Sequence, residues 1–155
     1  MKPLAFCFLL SVFFFTGCGL SAKQLASQQA QAEFRKAIAA MKVCTQGSTY
    51  AEFREKRLAL ETCYTANESF LATTNTTKLL ELAQAAEDLW NFDIETQLHP
   101  LALKSNPKYN DWAHALKTVK LNSGLDWTQI NRGNQVQIGL TLVSRQCDDL
   151  LAQKQ

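Results

Sequence analysis

Between residues 77 and 98 the chain reads TKLLELAQAAEDLWNFDIETQL, and Leu79, Leu82, Ala83, Ala86, Leu89, Trp90, Ile94 and Leu98 recur three or four positions apart. Two turns of an α-helix advance about seven residues, so this spacing gathers all of these side chains on one face. A stripe of that length must be covered by other elements. A sheet is a poor cover here, because no other segment shows the two-residue alternation of a half-buried strand with a partner to pair with. The chain has only six Gly and three Pro among 155 residues, so long elements with little interruption are expected.

The rest of the chain from Lys23 repeats the same pattern. A first helix is expected over about 23–45, with Leu25, Phe34, Ala37, Ile38, Met41 and Cys44 on its inner face and Gly47 stopping it. A second, about 50–72, opens on a capping box in which Thr49 and Glu52 satisfy each other's backbone N–H groups. Its inner face is Phe53, Leu60, Cys63, Tyr64, Asn67, Phe70 and Leu71, and ATTNTT at 72–77 ends it as a turn. The third helix is the stripe above. Pro100 and Pro107 bound a loop, and a fourth helix over about 108–120 carries Tyr109, Trp112, Leu116 and Val119. Asp126 is the expected N-cap of a fifth helix, about 127–152, with Val136, Leu140, Val143, Cys147 and Leu150 as its seam. QVQIGLTLV inside it also alternates, but no partner strand exists, so it is read as helix. The fold class is all-α: an antiparallel bundle of four to five helices over 23–155.

The first 18 residues do not fit that bundle. Lys2 precedes twelve uncharged residues, LAFCFLLSVFFF, and Thr16-Gly17-Cys18 follow. A positive start, an apolar run too short to span a bilayer and small residues after it form the layout of a secretory signal. Phe15-Thr16-Gly17-Cys18 resembles the lipobox of bacterial lipoproteins, although that pattern prefers Leu where Phe15 stands. The resemblance implies cleavage after Gly17, acyl chains such as palmitate on Cys18, and a short tether at 18–22. Gly19 after the cysteine implies the outer membrane, because it is not an inner-membrane retention residue. Ordinary cleavage near GLSA, giving a secreted or periplasmic chain, is the alternative.

Cys7 leaves with the leader and Cys18 with the lipid, so Cys44, Cys63 and Cys147 remain. In a helical hairpin centred near residue 47, Cys63 lies about 20 Å beyond Cys44 at 1.5 Å per residue. A disulfide needs Cα atoms within about 7 Å. If the helices alternate up and down, the first and fifth run the same way and bring Cys44 and Cys147 to one end. The expected bridge is therefore Cys44–Cys147, with Cys63 unpaired. Three buried thiols with no bridge are the competing expectation.

Little else points to chemistry. The net charge is +2 and falls by one when Lys2 is removed, which leaves no basic excess for nucleic acid. His99 and His114 stand apart, and no CxxC, HExxH, GxSxG or phosphate-binding glycine loop occurs. Glu87, Asp88, Asp93 and Glu95 read as a solvated helix face. Lys104, Lys108, Lys117 and Lys120 read the same way, with anionic lipid headgroups as the other possibility. Trp90, Trp112 and Trp127 read as core. Asn67 and Asn75 head glycosylation sequons that are accidental in a bacterial lipoprotein. From about 33 to 92, the succession of a helix, a Gly-containing turn, YAEF, a second helix and a third ending near LW resembles small helical secreted or lipid-anchored bacterial proteins of uncharacterised function. That resemblance implies a fold and carries no functional residue. The expectation is a cell-envelope protein attached to the membrane by lipid. It acts by interaction or scaffolding on an envelope protein partner, without catalytic residue, metal or cofactor. The alternative is a periplasmic binding module or chaperone-like factor holding an apolar ligand or client.

Overall fold

The first helix is started by a side chain. Ser21 Oγ accepts from the Gln24 N–H at 3.3 Å, and Gln24 Oε1 accepts from the Ser21 N–H at 2.8 Å, a reciprocal pairing that satisfies two otherwise orphaned donors. The computed structural model describes residues 21–98, 106–127 and 130–153. Within them the regular structure is helical: α1 (Ala22–Cys44), α2 (Tyr50–Ala66), a single turn α3 (Glu68–Leu71), α4 (Thr74–Leu98), α5 (Tyr109–Ser123) and α6 (Arg132–Ala152). Cys18 and the leader lie outside the described residues, as do His99 and Lys104.

Most boundaries follow the sequence, and the exceptions have local causes. The Thr49–Glu52 capping box forms as expected, with the Glu52 N–H donating to Thr49 Oγ1 at 3.3 Å. The expected 50–72 helix is broken at Asn67, whose side-chain amide donates to the Cys63 carbonyl at 3.1 Å and leaves a one-turn α3 beyond it. Asn67 is half-buried there, a cap rather than a core residue. The threonines after it start α4 instead of ending a helix: Thr73 Oγ1 accepts from the Thr76 N–H at 3.2 Å, and Thr76 is buried. α5 runs on to Ser123 and stops at Gly124, whose φ of 65° is the left-handed conformation of a helix C-cap. α6 starts at Arg132, not at 127, because Asn131, and not Asp126, accepts from the Asn134 N–H at 2.9 Å. Residues 135–143, the ambiguous alternating stretch, are helical.

α4 is the centre of the core. Leu79, Leu82, Ala83, Ala86 and Leu89 are buried, joined by Ala85 and Phe92, which the periodic stripe left out. α2, α5 and α6 pack around it, each antiparallel to it. Phe53 and Tyr50 meet Trp90, with ring centroids 5.7 and 5.9 Å away. Trp112 stacks on Phe92 at 4.9 Å. Gln146 donates to the Asn75 carbonyl at 3.2 Å, while Gly139 lies against Ala86 and Leu89.

It follows that α5 and α6 run parallel, and the expected up-and-down order is corrected at its last step. The connection from Gly124 to Asn131 spans eight residues, long enough at ~3.3 Å each to run back along α5, whose length is about 22 Å. α1 completes the arrangement. It is antiparallel to α6, with Arg35 donating to the Leu151 and Gln153 carbonyls at 2.5 and 3.1 Å and Lys42 paired with Asp148 at 2.5 Å. The two helices do not run the same way as expected, but the Lys42–Asp148 pair still sets Cys44 and Cys147 at about the same level of the bundle. Both thiols are buried, Cys63 is half-buried, and all three are free in this structure.

Candidate functional site

α2 begins YAEFREKRLALE; its inner face is interrupted by the buried Arg57, and the exposed Arg54, three positions earlier, is its neighbour on the helix surface. Both reach α4. The Arg57 Nε–H donates to the Glu87 carboxylate, and its Nη1–H donates to Glu61 Oε2 at 2.8 Å. Arg54 Nε lies 3.4 Å from the other Glu87 oxygen. Arg57 and Glu87 are 9% and 7% exposed, so this is a buried ion pair and not a surface one. Glu87 was expected on a solvated face, and that reading is corrected. A carboxylate inside a helix interface is retained only when cations and donors surround it.

The pair sets the electrostatics around it. Burial works against the charge of Arg57, but the hydrogen bonds and charges of Glu87 and then Glu61 outweigh it and raise its pKa. Burial, followed by the negative charge of Glu87, raises the Tyr50 phenol. Asp88, the next residue of α4, is half-buried. Burial lifts its carboxyl above the usual range, the hydrogen bond from Gln84 at 2.9 Å opposes that, and the charges of Asp111 and Glu87 add to it.

Beside the pair, α2, α4 and α5 leave a cleft of ≈ 570 Å³. Arg57, Glu61, Tyr64 and Thr65 form one wall, Leu80, Glu81, Gln84, Ala85 and Asp88 the floor, and His114 and Thr118 the other wall. Its size is that of a small-molecule site. Its guanidinium is already held by two carboxylates, so it is not free to clamp an anion, while Glu81 and Asp88 add negative charge. The arrangement holds charge in place. Among the described residues no group of three or more His, Cys, Asp or Glu side chains is placed to hold a metal ion.

A second, smaller groove of ≈ 360 Å³ lies where α1, α3, α6 and the start of α4 meet, lined by Phe34, Ile38, Phe70, Leu71 and Leu150 and equally by the polar Gln31, Arg35, Thr73, Thr76 and Gln153. The tryptophans are elsewhere. Trp90 and Trp112 pack in aromatic clusters, and the Trp127 ring N–H donates to Ser123 Oγ at 2.9 Å. Lys108 starts α5 while Lys117 and Lys120 lie near its end, so they are strung along the helix and do not form one patch.

The sequence reading missed the Arg57–Glu87 pair. The available signal was Arg57 at an inward position of α2 between Phe53 and Leu60, with Arg54 one turn before it. No described helix is long and apolar enough to cross a membrane. Comparison of the chain with protein-family models, with curated proteins and with solved structures gives no match.

Proposed function

We propose that this chain is an exported bacterial protein, lipid-anchored at Cys18 in the outer membrane and facing the periplasm, where its helical bundle binds or scaffolds an envelope partner without catalysing a reaction. The observation that carries this reading is the layout of residues 1–18, a positive charge, a short apolar run and Thr-Gly-Cys. Mass spectrometry of the mature N-terminus tests it, together with a Cys18→Ser variant. An acylated Cys18 in the wild type and an unprocessed or unanchored variant are expected. An unmodified N-terminus at Ala22 would overturn the anchoring.

A second reading, a helical module that holds an apolar ligand, is favoured by the groove between Phe34, Ile38, Phe70 and Leu150. An environment-sensitive apolar dye separates the two readings. Saturable binding that Ile38→Glu abolishes supports the module, and no saturable binding leaves scaffolding as the function.

A further inference from the structure

α1 is longer than the bundle it belongs to. Its residues 22–29, Ala-Lys-Gln-Leu-Ala-Ser-Gln-Gln, include no buried side chain, and Ala30 is the first buried position. Leu25, expected on the inner face, is 50% exposed. The neighbouring helices have ended by this point. Arg35 already meets the carbonyls of Leu151 and Gln153 at the end of α6. Phe34 and Ile38 face Leu71 and Thr73, where α3 ends and α4 is about to start. Phe34 also lies 6.3 Å from Tyr64, within a turn of the end of α2. Asn122, near the end of α5, borders the same Thr73–Lys78 segment.

Two further properties make this projection stiff. It is built of Ala, Leu, Lys and Gln, which are good helix formers, with a single Ser and neither Gly nor Pro, and the Ser21–Gln24 box closes its free end. α1 also runs unbroken into a part fixed to α6 by the Arg35 bonds and the Lys42–Asp148 pair. Eight residues at 1.5 Å each make a rod of about 12 Å.

We propose that residues 22–29 are a rigid helical stalk that holds the bundle off the lipid surface and fixes its orientation. This rests on the reading of Cys18 as the lipidated residue. With only Gly19 and Leu20 between Cys18 and the Ser21 cap, the anchor has little slack of its own, so the stalk sets the height. The end where α2, α5 and α6 finish and α4 starts faces the lipid. The α1–α2 turn around Gly47 and the start of α5 face away from it.

The experiment uses the full lipidated protein in phosphatidylethanolamine–phosphatidylglycerol vesicles. A donor dye on Asn110→Cys, at the exposed far end of α5, in a Cys63→Ser background reports energy transfer to acceptor-labelled lipid. Deletion of residues 22–28 removes about 10 Å while nearly preserving the helical phase. The label is expected to move closer by about that distance. Replacing the same residues by an equal length of Gly and Ser is expected to broaden the distance distribution. Both variants should melt close to the parent, since only Ala26 and Ser27 in these turns are even partly covered. A donor–lipid distance unaffected by the deletion, or a Gly/Ser variant with the parent's narrow distribution, overturns the stalk. The mass of the N-terminal peptide separates this from failure of the anchor: if no acyl chain is found and no variant sediments with vesicles, the lipid reading falls first and the stalk with it.

Discussion

The two sides of α4 are built on opposite principles. Toward α6 it presents Ala86 and Leu89 to Gly139, so closely that a Cβ on that glycine would lie 3.3 Å from the Ala86 Cβ. Toward α2 it presents Glu87 to Arg57 and Arg54. One seam is apolar and tight because small residues let backbones approach. The other is held by charges that had to be removed from water. Adjacent positions of one helix, 86 and 87, thus carry two different kinds of specificity: shape on one side and charge matching on the other. Shape tolerates no added volume, whereas charge matching tolerates no missing partner.

The largest effect that would sharpen this contrast is on the charged side. Glu87→Ala leaves the Arg57 guanidinium buried without its main acceptor, and a loss of about 3 kcal/mol in urea unfolding is expected. The double replacement Arg57→Leu with Glu87→Leu is expected to recover most of it, because the desolvation cost leaves with the pair. A double variant as unstable as the single one would show that the pair contributes net stability. Next is the tight side, where Gly139→Leu is expected to cost about 1–3 kcal/mol by forcing α4 and α6 apart, read by the same unfolding curves. A neutral result there would mean that the seam can open, and the contrast would fail.

The smallest effect is one of pH. Asp88 has a raised folded-state pKa, so the folded chain holds its proton more tightly than the unfolded chain does. Its contribution to stability is therefore full below the unfolded carboxylate range and is lost as pH rises through the folded pKa. Asp88→Asn keeps an acceptor for Gln84 and should raise Tm at neutral pH by about 1–2 °C, after allowing for solvent screening at a half-exposed site. The gain should vanish in acid. A gain that persisted below the carboxylate range would assign the effect to packing and not to charge.

Much of this architecture was legible in the residues. The α4 stripe, the Thr49–Glu52 cap and the α6 seam each follow from local rules, and the structure shows the cap, the stripe buried from Leu79 to Leu89 and the seam buried from Val136 to Cys147. What was not legible depends on neighbours. Glu87 resembles any surface glutamate until α2 supplies Arg57. Helical periodicity gives a face but no direction, so nothing within residues 132–152 says that α6 runs parallel to α5. The length of the 124–131 connection permits either course. Leu25 failed for the same reason. A leucine at the right phase faces inward only if something stands opposite, and by that level the other helices have stopped. The cleft beside Arg57 was not legible either, because three helices from distant parts of the chain enclose it.

The parallel course of α6 has a consequence for the order in which the chain can be sealed. α4 has three neighbours, and the one that closes its Ala86 face is encoded more than forty residues downstream, at Gly139. Until that stretch has been made and has doubled back past α5, the central helix keeps an open apolar side, and the local hairpin of α1 and α2 cannot close it. A chain built this way folds late.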